Sequence, residues 1–294
     1  MKFLTPVAIT DSMLVSSSIA ETDHPAWNAA TAYAVGARVV LASTHSIYQR
    51  LVAGTSAQSP DVDAANWIRI GPTNRWCMFD RATGTLSTAT DSITVTIAPG
   101  MVRGIALLDI TGNSVTVTMT NGGTTVYSRT VSLNTGYGVN DWDTYFFNDI
   151  VRKSTVVLTD LPPYSAGQIT VTVNGSGPVS IGTVAAGSVF TVGRSRFGMS
   201  LGIIDYSVKT TDAYGATTVT QRAFAKRMTV PVVVNAIDVD EVSRRLALIR
   251  ATPVVWIAST SYDQSIVYGF FKEFAIDVAY PEFSNCSLTI EGLS

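Results

Sequence analysis

The sequence predicts a mainly β chain in three parts: a small aromatic β module, an antiparallel β-sandwich of jelly-roll type, and an α+β domain with one helix. Three observations carry that prediction. Short runs alternate β-branched and hydroxyl residues, as in "SITVTI", where Ile93, Val95 and Ile97 share one phase and Ser92, Thr94 and Thr96 the other. Turn clusters such as "TNGGT" and "VNGSGP" separate these runs. Only "AIDVDEVSRRLALIRATP" carries a convincing helical period.

Residues 1–22 read as an extended N-terminal arm. Pro6 and Asp11 interrupt any apolar region of a signal peptide, so the segment is expected to stay on the mature chain. Residues 23–72 form the small module, bounded by the turn-like "ETDHP" and "IGPTN". Within it "ARVVLA" and "SIYQRLV" read as short strands joined by the polar "STH" turn, with the loop "SAQSPDVDAAN" after them. So short a unit buries little surface, and large aromatics must supply much of its core. Trp67 and Tyr48 lie on strands and are expected to be buried. Trp27 and Tyr33 precede the strands, where they serve either as core or as platforms for a sugar ring.

Residues 73–195 are the sandwich, with "GIALLDI", "SVTVTMT" and "QITVTVN" among its strands. Residues 196–294 are the α+β domain, and the helix is expected near 238–250. Val239, Val242, Leu246 and Ile249 make its buried stripe, Asp238 and Glu241 suit a capping box, and Pro253 follows its end.

Charge excludes one class of partner. There are 20 Lys and Arg against 22 Asp and Glu, so no basic excess exists to hold a nucleic acid backbone. The apolar positions come in runs of a few residues, too short for a membrane span. Cys77 and Cys286 are far apart and outside any CxxC pair, so they read as small buried apolar side chains and not as a disulfide or zinc site.

Catalytic chemistry finds little support. His24 and His45 are the sole candidate imidazole bases, and no G-x-S-x-G elbow or phosphate-binding glycine loop is present. Asp61 with Asp63, and Asp141 with Asp143 and Asp149, are the carboxylate clusters that a glycosidase would use. Both also suit solvated turns. No catalytic residue, metal site or cofactor is therefore assigned. In "NDWDTYFF", Trp142 and Tyr145 are candidates for ligand contact at the rim of the sandwich, while Phe146 and Phe147 would anchor the loop.

The spacing of Trp27, Tyr33, Gly36, Val39, Tyr48, Pro60 and Trp67 resembles the chitin-binding type 3 carbohydrate module. That resemblance implies carbohydrate binding by Trp27 and Tyr33. It departs at "GARVV", where an acid usually follows the glycine, and at the longer hairpin "ASTHSIY". Wider segments, "GPTNRWCMFD", "GIIDYSVKTTDAYGATTVTQRAFAKRMTVPV", "LALIRATPVVWIAS" and "FAIDVAYPEFSNCSLTIEGL", resemble tail proteins of tailed bacteriophages. The segment closing in "GPVSIGTVAAG" is similar to galactose-binding-like jelly rolls, and the C-terminal order of strands and helix to the split barrel of tail-tube and distal tail proteins.

These resemblances imply a structural component of a phage tail tip or baseplate, made in the bacterial cytoplasm and located on the virion. Its implied partners are other tail proteins, further copies of itself and a host-surface glycan. A carbohydrate-binding adhesin or receptor-binding protein is the alternative reading, and a non-catalytic accessory module of a glycan-degrading enzyme the third. Residues 198–294 are expected to carry the assembly contacts, and removal of residues 1–72 to leave assembly intact.

Overall fold

Alternating β-branched residues build most of the molecule. The computed structural model describes residues 1–134, 141–147, 152–278 and 280–293, apart from the side chains of Thr144 and Tyr145. The chain is mainly β, with antiparallel sheets and one helix long enough to pack on a sheet.

Near the N-terminus are β1 (Lys2–Pro6) and β2 (Leu14–Ser17), followed in the small module by β3 (Arg38–Leu41), β4 (Ser46–Arg50) and β5 (Trp67–Pro72). The central strands are β6 (Ser87–Ile97), β7 (Gly104–Leu108), β8 (Ser114–Asn121), β9 (Thr124–Ser132), β10 (Val156–Leu158), β11 (Gln168–Ile181) and β12 (Thr183–Thr191). A six-residue helix α1 (Trp142–Phe147) lies between β9 and β10. The rest comprises β13 (Arg194–Ser195), β14 (Ser200–Asp205), β15 (Val208–Thr211), β16 (Thr217–Thr220), β17 (Phe224–Asn235), α2 (Val239–Leu248), β18 (Val254–Ile257), β19 (Ile266–Asp277) and β20 (Phe283–Gly292).

Five strands in the order β2-β6-β11-β8-β9 make one layer of the sandwich, and β10-β7-β12 cover it. Ile93, Val95 and Ile97 meet Val171, Ile105 and Leu107 in its core. On the outer face hydroxyls pair across strands, Thr96 with Thr170 at 2.9 Å and Thr94 with Thr172 at 3.3 Å. The expected alternation is therefore observed residue by residue.

The covering layer does not stop at the sandwich. It continues through β1 into β18-β19-β20-β17, giving a ten-stranded sheet that curls as a half-barrel. Lys2–Pro6, read from the sequence as part of an extended arm, is thus an interior strand paired with β12 on one side and β18 on the other. Phe3 and Leu4 are buried on its two faces, against Trp256 and Val255 respectively. Gly187 makes that position available, because a Cβ there would run into the Thr5 carbonyl. A cut after residue 72 would remove this strand from mid-sheet, which bears directly on the expectation that removal of residues 1–72 leaves assembly intact.

Helix α2 buries Val242 and Leu246 against the half-barrel, with Ile249 at its C-cap buried in the same cluster and Val239 packed beside them. The stripe is as expected, but the capping box is not formed. A 3-10 turn over Ala236–Asp238 leads into the helix, so Asp238 is already helical, and its carboxylate instead accepts a 3.0 Å hydrogen bond from Asn235 Nδ2. Glu241 pairs with Arg245 one turn on, at 3.5 Å.

Candidate functional site

The small module is an insertion in the loop between β2 and β6, which are themselves neighbours in the sandwich. Its three strands β3-β4-β5 carry Val39, Leu41, Tyr48 and Trp67 into one cluster, with Trp67 2% exposed. Ile68 and Ile70, in the opposite phase, are exposed. Trp27 and Tyr33 join the same cluster as half-buried members. The Tyr33 ring meets Trp67 edge-on at 5.2 Å, and its hydroxyl accepts a 2.8 Å hydrogen bond from the Asn28 backbone. Trp27 Nε1 is buried, without a hydrogen-bond partner among the described residues. The two proposed sugar platforms are brought together, yet much of each ring serves as core.

Arg50 completes that core in a way the sequence does not signal. Its guanidinium is buried over the Trp67 ring at 5.0 Å, donates to the Thr55 carbonyl at 3.3 Å and lies 3.9 Å from Asp63. Asp63 accepts hydrogen bonds from Ser56 Oγ at 2.6 Å and Asn66 Nδ2 at 2.9 Å, and these hold its carboxyl below the usual range. A carboxylate kept ionised in this way is a loop clamp and a poor general acid. Asp61 accepts a hydrogen bond from the hydroxyl of Ser59, two residues before it.

His45 closes the joint between module and sandwich. Its Nδ1 lies 3.1 Å from Glu21 and its Nε2 3.6 Å from Asp11, while the ring stacks on Trp76 at 4.1 Å. Glu21 also accepts a 2.9 Å hydrogen bond from the buried Thr73 hydroxyl. These five residues are scattered through the sequence, and no spacing rule could have gathered them.

Trp142 on α1 is 77% exposed and stacks on Phe146 at 6.2 Å. Phe146 and Phe147, expected as anchors, are exposed instead. The six-residue helix turns all three rings outward. Tyr145 belongs to α1, but its side chain lies outside the described residues, as does Asp149. Asp141 and Asp143 stand exposed at the start of the helix.

Burial pushes the thiols of Cys77 and Cys286 up to about 11, so both remain protonated and weakly nucleophilic at neutral pH. Among the described residues no three His, Cys, Asp or Glu side chains gather to hold a metal ion, and no helix is long and apolar enough to cross a membrane.

A run of exposed apolar side chains lies in the C-terminal third. Pro231 breaks the outer edge of β17, with β13 pairing on one side of it and β14 on the other. Beyond that break β14 pairs only with β17, leaving its outer edge open among the described residues. The hairpin β15–β16 forms a separate two-stranded sheet. Leu201, Ile203, Tyr206, Val208, Val219 and Phe224 are exposed along this arm, and β14, β15 and β16 bury none of their residues.

No protein-family model matches the chain, and no curated protein matches it in sequence.

Proposed function

We propose that the chain is a non-catalytic structural component of a bacteriophage tail tip or baseplate, which oligomerises through its C-terminal region on the virion. The observation that carries this reading is the arm of residues 198–224, with apolar side chains outside and an open strand edge. That edge carries few of the usual protections: β14 contains no proline and one charge, Asp205 at its end, and no described strand pairs with its outer side. Contiguous exposed apolar surface is a mark of an interaction site. Replacing residues 207–221 by a two-residue turn keeps β14 and β17 and removes the hairpin. That variant should melt as the parent does but fail to enter particles, as read by negative-stain imaging with the chain labelled. Normal incorporation would refute the reading.

A second reading, contact with a host glycan, is favoured by the exposure of the stacked Trp142 and Phe146 rings on α1. Glycan-array binding by the full chain, reduced by Trp142→Ala, tests it. Binding unchanged by that substitution would remove α1 from the site.

A further inference from the structure

Resting on the assembly reading above, we infer that the arm tip of one copy plugs a cavity at the arm base of a second copy, with Tyr214 as the inserted side chain. The tip is built to display it. Asp212 Oδ1 accepts hydrogen bonds from the backbone N–H of Tyr214 at 2.9 Å and of Ala216 at 2.8 Å, and Gly215 takes the left-handed conformation that closes the turn. Tyr214 is thereby held 96% exposed on a pinned turn.

The cavity lies where the arm leaves the body, at the start of β17. Its volume is about 220 Å³, and Leu108, Ile266 and Leu293 supply apolar wall. Asp109 and Lys226 also line it, and neither has an ion pair or side-chain hydrogen bond among the described residues. That volume corresponds to about seven waters and is below the roughly 300 Å³ at which pockets for drug-sized ligands begin, so it suits one large side chain. The lining asks for an apolar body with a tip that both donates and accepts. A phenol meets both demands: its ring packs on the aliphatic walls, its O–H donates to the Asp109 carboxylate, and its oxygen accepts from the Lys226 ammonium. Phe197, equally exposed, has no group to offer them.

Tyr214 does not fill the cavity of its own chain, since it is exposed and is not among the residues that line it. Tip and cavity are also different surfaces, so the contact is heterologous and its repetition gives a ring or a filament.

Sedimentation of the full chain over a concentration series reads this directly. Wild type should assemble, Tyr214→Ser should weaken association by about tenfold or more, and Phe197→Ser should not. Asp109→Arg should block the cavity, with Lys226→Glu as the second cavity variant should Asp109→Arg lower the melting temperature. The decisive sample mixes Tyr214→Ser with the cavity variant. One intact tip and one intact cavity remain between them, so the mixture should form one-to-one dimers and nothing larger. Assembly of Tyr214→Ser at wild-type strength overturns the plug while leaving the assembly reading standing. Loss of association with Phe197→Ser alone overturns the choice of tip. A wild type that stays monomeric throughout overturns both.

Discussion

The module of residues 23–72 and the arm of residues 198–224 both carry short strands with apolar alternation, and they differ in what covers the apolar face. In the module Trp67 and Tyr48 are buried against Val39 and Leu41, and half-buried Trp27 and Tyr33 close over them. In the arm Ile203, Val208 and Val219 stay exposed and join no buried cluster among the described residues. A segment with its own core is independent of its host, however small that core is. A strand segment that buries none of its residues has no core of its own to hold it. The contrast is between a unit with its own core and one without.

The largest effect should come from cutting in the wrong place. Removing residues 1–72 takes β1 from between β12 and β18, and the body should lose its cooperative melt. Removing residues 23–72 alone joins points already close, since Glu21 bonds Thr73 and Asp23 bonds Asn74. That excision should leave the melting temperature within roughly 4 °C of the parent, read by calorimetry. Equal damage from both deletions would end the claim that the module is independent.

Within the module, Trp67→Ala should cost about 3–5 kcal/mol, enough to unfold it, while half-buried Trp27→Ala should cost about 2 kcal/mol or less. Hydrogen exchange of β3–β5 amides reads both. If the two substitutions unfold the module equally, Trp27 is core alone and no sugar platform remains there.

Acid should loosen the module in a way that depends on Asp63. Its folded carboxyl titrates below the usual 3.8, through hydrogen bonds first from Ser56 and then from Asn66. The stabilisation is therefore complete above the unfolded value and is lost as pH falls through the folded one. Asp63→Asn should flatten the acid limb of module unfolding, measured by near-ultraviolet circular dichroism between neutral pH and about pH 2. An unchanged acid limb would show that the loop clamp lies elsewhere.

The smallest stability effect is expected in the arm. Ile203→Ser removes a side chain that touches no core, so the dilute monomer should keep its unfolding free energy within about 0.5 kcal/mol. A larger loss would mean that the arm is packed against its own body, and the contrast with the module would collapse.

Much of the fold is legible because local patterns report local structure. Ile93, Val95 and Ile97 alternate with hydroxyls and face the core as predicted, and Val242 and Leu246 line the buried side of α2, with Ile249 at its C-cap. The buried Trp67 and Tyr48 follow from the need of a small unit for large side chains. Legibility ends where a residue's role depends on a distant neighbour. Asp238 reads as a helix cap, but a 3-10 turn carries its carboxylate back to Asn235. Phe146 and Phe147 read as anchors, although the helix they occupy turns them outward.

Composition and period alone settle that this chain is β-rich, that one helix packs on a sheet, and that an aromatic cluster organises residues 23–72, because strand and helix periods are properties of adjacent residues. Tertiary structure decides the rest. It places Lys2–Pro6 in mid-sheet, joins His45 to Glu21, Asp11 and Trp76, and leaves the strands of 200–220 uncovered. An alternating strand looks the same in sequence whether its apolar face meets a core, a neighbouring chain or water. Which of these it meets depends on contacts between segments remote in sequence, and periodicity carries no record of them.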